Sequence, residues 1–203
     1  MKVSAVLSFA SLAAALPSSR TTKSSNAPFS VTAARSGSEI HYLPLTASSG
    51  HFWLGGKSQT YCPSSVGASC GKQDDTIIYG GNALDVVVPG GQQIYVDASG
   101  ALSFTVPHSG YIPAGSSTGP FKAPLASWLA LFLRLLRPPP LPPSATATPS
   151  SVARRSAQSS KWQVYAALQN ATVPSGQVSD CLGFDALATG LNITSDQLAW
   201  EYI

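Results

Sequence analysis

Apolar and polar residues alternate along much of this chain with a period of two, in short runs cut off by turn-forming residues. The runs are Phe29–Ala33, Glu39–Leu43, His51–Leu54, Thr76–Tyr79, Leu84–Val88, Gln93–Asp97 and Ala101–Val106. Successive side chains of an extended strand point to opposite faces, so each run predicts a strand. Gly55-Gly56, Gly80-Gly81 and Gly90-Gly91 fill the gaps between runs, where tight turns require positive φ. Lys161–Leu168 adds a further strand, with Trp162, Val164 and Ala166 on one side. Ser195–Tyr202 fits either a short helix with Ser195 as its N-cap or a last strand.

The most explicit local pattern is the hairpin Gln92–Thr105. Ile94 and Val96 alternate with Tyr95 and Asp97, and on the return Leu102, Phe104 and Val106 oppose Ala101, Ser103 and Thr105. Asp97-Ala98-Ser99-Gly100 suits a type I turn closed by a left-handed glycine. Short strands at intervals of about 8–12 residues predict an all-β fold, a single antiparallel sandwich or barrel-like domain. That domain is expected over residues 28–203, after a polar lead-in at 16–27.

The pattern breaks at about 122–160. Its core, SWLALFLRLLRPPPLPP (Ser127–Pro143), is dense in leucine, arginine and proline. The apolar run Leu125–Leu133 is about half of what a bilayer crossing needs. An interfacial amphipathic helix would be stopped by Pro138-Pro139-Pro140. A polyproline ligand would lack its usual intracellular readers outside the cell. The reading favoured is a frame error in the gene: tryptophan has a single codon, and moving the frame forward by one base turns Trp128 into glycine and the leucines mostly into serine. Sequencing the transcript across this stretch tests that reading. Otherwise the segment is expected to be disordered.

The first residues carry a different signal. Lys2, the apolar run Val3–Leu12 and Ala13-Ala14-Ala15 have the form of a cleaved secretion signal over 1–15. Only 10% of residues are charged, so the surface must take its polarity from Ser, Thr, Asn, Gln and sugar. The net charge of +3 comes from the atypical stretch, since six of the twelve bases lie between Lys122 and Lys161. Without them six bases face nine acids, a net of −3, so neither nucleic acid nor membrane is an expected partner.

Three cysteines suit an oxidising compartment. Cys62 and Cys70 can close a small loop by a disulfide, which leaves Cys181 as the odd one. Zinc is a weak alternative, because no CxxC pair is present. Asn170 and Asn192 each head an N-glycosylation sequon. No catalytic or metal site is expected: His41, His51 and His108 fall in no metal-binding spacing, and no GxSxG elbow occurs. A glycosidase pair would have to be drawn from Glu39, Asp74, Asp75, Asp85, Asp97, Asp180 and Asp185, which nothing in the sequence brings together. Trp53, Tyr61 and Tyr79 could form a sugar-stacking platform, although core or hairpin roles are the commoner use of such aromatics. No cofactor is implied.

Several stretches carry a resemblance. FWLGGKSQTYCPSS (Phe52–Ser65), VPGGQQIYVDASGALSFTVPHSGYIPAG (Val88–Gly115), KWQVYAALQNATVPSG (Lys161–Gly176) and DCLGFDALATG (Asp180–Gly190) closely resemble the fungal secreted family of IgE-binding, PhiA-type cell-wall proteins of phialide development. The resemblance implies a non-enzymatic wall protein of a filamentous fungus, with wall polysaccharide or other wall proteins as partners and host IgE as an incidental one. It brings no catalytic residue to carry over. It covers nearly all of 28–203 except the centre, where relatives are Gly-, Ser- and Phe-rich and usually carry one more cysteine before the KWQV strand. That missing cysteine would be the natural partner of Cys181. The competing reading is an extracellular carbohydrate-binding or carbohydrate-active module.

Overall fold

The computed structural model describes residues 27–71, 74–118, 151–155, 160–166, 171–173 and 180–203. In chain order the strands are β1 (Phe29–Ala34), β2 (Leu45–Ser48), β3 (His51–Leu54), β4 (Thr60–Tyr61), β5 (Ile78–Tyr79) and β6 (Ala83–Leu84). There follow β7 (Gln92–Val96), β8 (Leu102–Phe104), β9 (Ser151–Arg155), β10 (Trp162–Ala166), β11 (Leu182–Gly190) and β12 (Glu201–Tyr202). Among the described residues the helical pieces are two 3-10 turns, Ser64–Ser69 and Ser195–Gln197. The fold is all-β, as the alternation requires.

Ten strands form one sheet in the order β10-β9-β11-β1-β5-β6-β7-β8-β3-β2. Every strand pairing in it is antiparallel, and β10 also pairs with β3 through Trp162 opposite Leu54. The sheet therefore curls back on itself, and its concave face holds the core. Phe52, Leu54, Ile94, Phe104, Trp162, Val164 and Phe184 are buried there together. Phe52 and Phe104 meet edge to face with ring centres 5.5 Å apart, the arrangement their quadrupoles favour. A two-stranded ribbon, β4 with β12, stands apart from this sheet.

Turn chemistry sets the registers. The β7–β8 hairpin closes as its sequence predicts: Gly100 N–H donates to the Asp97 carbonyl at 2.9 Å, and Gly100 has φ 92°. A side chain there would also meet the Ala171 methyl at 2.9 Å, so glycine is required twice over. Asp97 Oδ1 accepts from the backbone N–H groups of Ser99 and Ala101 and from the Ser99 hydroxyl. The β2–β3 hairpin uses Ser49 and Gly50, with φ 54° and 74°, the type I′ geometry that matches strand twist.

Two sequence expectations are corrected. Glu39–Leu43 is not a strand but a chain of turns, with His41 N–H donating to Ser38 O and Leu43 N–H to Ile40 O. Ile40 reaches the core from a turn, and Tyr42 takes φ 63°, so the alternation there reflects two side chains rather than a pleat. The strand that follows is β2, one step later, and it pairs with β3. At the far end of the chain Thr194, not Ser195, caps the short 3-10 turn, and the strand is β12. Within the span 122–160, Ser151–Arg155 forms β9 and bridges β10 to β11. The rest of that span except residue 160, the signal 1–15 and the lead-in 16–26 lie outside the described residues.

The segment that carries β12 is fastened at many points. Ile203 N–H donates to Gln59 O at 2.9 Å and Ser49 N–H to Ile203 O at 2.7 Å. Val87 and Val88 donate to Ala199 O and Trp200 O, which lays that stretch parallel to Ala199. Gly71 packs so closely on the Gln197 backbone that a side chain is excluded, and its N–H donates to Leu198 O at 2.8 Å. The Cys62–Cys70 loop and the closing strand therefore lie side by side.

Candidate functional site

Two places concentrate polar groups on a rigid frame. The first is internal. Gln92, 2% exposed, donates from Nε2 to the carbonyls of Thr105 and Tyr202, at 3.1 and 2.9 Å. Its Oε1 accepts from Tyr202 N–H at 2.8 Å. The amide thus stands in for a neighbouring strand's peptide and pairs both backbone groups of Tyr202. The Tyr202 hydroxyl accepts from Ile77 N–H and donates to Asp75 O, each at 3.1 Å. Burial, with smaller contributions from the Asp85 and Asp75 charges, pushes its pKa up to about 12, although the Ile77 bond acts against this. Asp85 nearby is itself raised by burial. This network has every polar atom engaged inside the protein, and its chemistry is that of a latch rather than a reaction centre.

The second place is the convex face of the sheet. Tyr95 of β7 lies opposite Ser103 of β8, which lies opposite His51 of β3, so these three share one row and one face. His51 Nδ1 and Ser103 Oγ are 3.0 Å apart. Two residues along β3, Trp53 lies opposite Thr46 on one side and Gln163 on the other. The Trp53 indole N–H donates to Ser48 O at 2.9 Å, and Gln163 Oε1 accepts from the Tyr165 hydroxyl at 2.9 Å. Tyr95, His51, Trp53 and Gln163 are all half-buried. Burial and the neighbouring Asp97 and Tyr111 push the Tyr95 phenol up. The face is aromatic, polar and held by backbone, and the four named side chains carry no carboxylate or ammonium.

The residues singled out from sequence fall as follows. Cys62 and Cys70 form a disulfide, with S–S 2.00 Å. Cys181 is half-buried and packs against Ala101, Tyr165 and Val173, a small cluster apart from the main core. Asn192 is exposed beyond β11, whereas Asn170 lies outside the described residues. His41 accepts from Arg35 N–H and stacks on Tyr42, and His108 is exposed in a turn with φ 58°. Asp74 pairs with Lys57 at 2.7 Å on the open surface and raises that amine's pKa. Asp97 holds the hairpin turn, while Glu39, Asp75, Asp180 and Asp185 are exposed on different elements.

Among the described residues no three of His, Cys, Asp and Glu are grouped to hold a metal ion. Trp53, Tyr61 and Tyr79 stand on β3, β4 and β5, three strands that do not pair with one another. The row Tyr95–Ser103–His51 was hidden in the same alternation that predicts the hairpin, and the residues to look for were those opposite the apolar set. Gln92 had no such signal, because a buried glutamine reads in sequence as a surface one.

Among described residues no helix is long and apolar enough to cross a membrane. No solved structure matches this chain. An uncharacterized secreted protein of Arthroderma benhamiae is 37% identical over 213 residues, covering 100% of both chains. The profile of the PhiA-like secreted proteins matches residues 29–203, which takes in every strand of the sheet. With nearly the whole fold inside that match, the chain belongs to the PhiA-like secreted protein family.

Proposed function

We propose that this secreted protein is a non-enzymatic component of the fungal cell wall, acting in the wall of phialides and conidia and meeting host IgE there. The observation that carries the reading is where its acid and base groups lie. Asp97 bonds a hairpin turn, Asp74 pairs with a surface lysine, His41 bonds a backbone N–H and His51 bonds Ser103. A hydrolase needs two such groups converging on one open space. Its partners are wall polysaccharide or other wall proteins. Fractionation of the fungus tests this: the protein should remain with washed walls of spore-bearing cells and release no sugar from wall polysaccharide. Recovery in the medium alone, or measurable turnover lost in Asp85→Asn, overturns it.

A second reading, carbohydrate binding, is favoured by the convex face. An aromatic plane beside amide, imidazole and hydroxyl groups suits a neutral sugar, which offers C–H faces to stack and hydroxyls to bond. Pull-down on insoluble wall glucan and chitin should then weaken at least tenfold in Trp53→Ala. Equal retention of both proteins removes this reading and leaves the first intact.

A further inference from the structure

We propose that Asn192 is an N-glycan acceptor whose occupancy is limited by folding, because the closed Ser195–Gln197 turn takes the hydroxyl that the sequon needs. Asn192-Ile193-Thr194 has no proline at its middle position. Leu191 N–H donates to Pro28 O at 2.9 Å and ends the β1–β11 ladder, and the three sequon residues that follow belong to no strand. Leu191 and Ile193 are half-buried, whereas Asn192 and Thr194 are exposed, so the acceptor amide and the hydroxyl both face solvent. A bulky, hydrated glycan on Asn192 therefore displaces no core side chain.

Exposure alone does not make an acceptor. The transferase grips the hydroxyl of the third sequon residue while the asparagine amide nitrogen attacks C1 of a lipid-pyrophosphate-linked oligosaccharide. A bond forms between Nδ2 and that carbon, the carbon–oxygen bond to the pyrophosphate breaks, and the amide gives up one proton. Thr194 must be available at that moment, and in the folded chain it is engaged. Its hydroxyl and its N–H both donate to Gln197 Oε1, at 3.3 and 3.0 Å. Gln197 N–H donates in turn to Thr194 O at 3.0 Å. The turn is clamped from outside as well. Gly71, next to Cys70 of the disulfide, packs on the Gln197 backbone and donates to Leu198 O at 2.8 Å. Docking of the closing segment and addition of the glycan therefore compete for Thr194. Chains that fold first leave the cell with Asn192 bare.

The test is site-resolved mass spectrometry of the protein secreted by a filamentous fungus. Asp180 and Asp185 lie between the two sequons, so an Asp-specific protease puts Asn192 and Asn170 on different peptides. Enzymatic glycan removal in heavy-oxygen water, after that digest, marks each occupied asparagine. The wild type should be a mixture of occupied and bare Asn192. Gln197→Ala keeps the sequon and frees Thr194. It should raise the occupied-to-bare ratio at least about twofold, the low end of what one hydrogen bond is worth. Asp196→Ala changes the same turn without touching the Thr194–Gln197 bonds and should leave the ratio where it was. Asn192 bare in both wild type and Gln197→Ala, full occupancy in the wild type, an unchanged ratio in Gln197→Ala, or an equal rise in Asp196→Ala overturns the proposal. None of these outcomes depends on wall retention, so the reading above stands or falls separately.

Discussion

Strands β7 and β11 belong to the same sheet, and the longer of the two is the less enclosed. In β7, Gln92, Ile94 and Val96 are buried in a strand of five residues. In β11 only Phe184 is buried among nine. β7 sits between β6 and β8 and is sealed further by β12, whereas among the described residues β11 has a full-length neighbour on one side only. Strand length thus says little about local stability. What decides it is how many other segments close over the strand, and in β7 the closing segment lies 110 residues away in sequence.

Breaking the sealed region should show the largest effect. Tyr202→Ala removes a fully buried ring and leaves Ile77 N–H and Asp75 O without their partner. We expect a loss of about 3–5 kcal/mol in urea unfolding, enough to approach global unfolding of a marginal domain. A loss below 1 kcal/mol would mean that the β12 segment is not part of the cooperative unit.

Alkali attacks the same point. Tyr202 is raised from the ordinary tyrosine value of 10.0 to about 12 in the folded state. Its contribution is therefore fully present below pH 10 and is lost as pH rises through about 12. The two-unit difference corresponds to roughly 3 kcal/mol. Thermal melts from pH 9 to 12 should show this decline, and Tyr202→Phe should flatten it.

Next comes the staple beside the latch. Replacing Cys62 and Cys70 by serine frees a loop of eight-residue separation, with an expected loss of about 2–3 kcal/mol on the loop-entropy account. Because Gly71 bonds Leu198, hydrogen exchange should quicken first in the 195–203 segment rather than at β11. The smallest change should be Leu187→Ala on β11, within about 0.5 kcal/mol in the same unfolding assay. A larger loss at Leu187 than at the disulfide would reverse the comparison.

Sequence reading reached the sealed region better than the open one. His51–Leu54 and the Gln92–Thr105 hairpin were legible because their alternation and turn residues agree. β2 was not, since Leu-Thr-Ala-Ser is short and weakly apolar. β11 escaped because Asp-Ala-Leu-Ala-Thr-Gly has one β-branched residue, Thr189, and does not alternate cleanly; register against β1 makes it a strand. Glu39–Leu43 misled by mimicking a pleat within turns. Of the polar placements, the bond from Asp97 to its hairpin followed from local spacing. The Gln92–Tyr202 pairing spans the whole domain and left no local trace.

That long-range pairing also imposes an order in time. A ribosome delivers Gln92 more than a hundred residues before Tyr202, so for that interval its Oε1 has no native partner and its amide nitrogen has only the Thr105 carbonyl of its own hairpin. Contacts this distant in sequence make folding slow and leave unsealed sheet exposed meanwhile. The domain closes last at β12, and a nascent chain cut short of it by a few residues should be recognised as unfinished by the cell that secretes it.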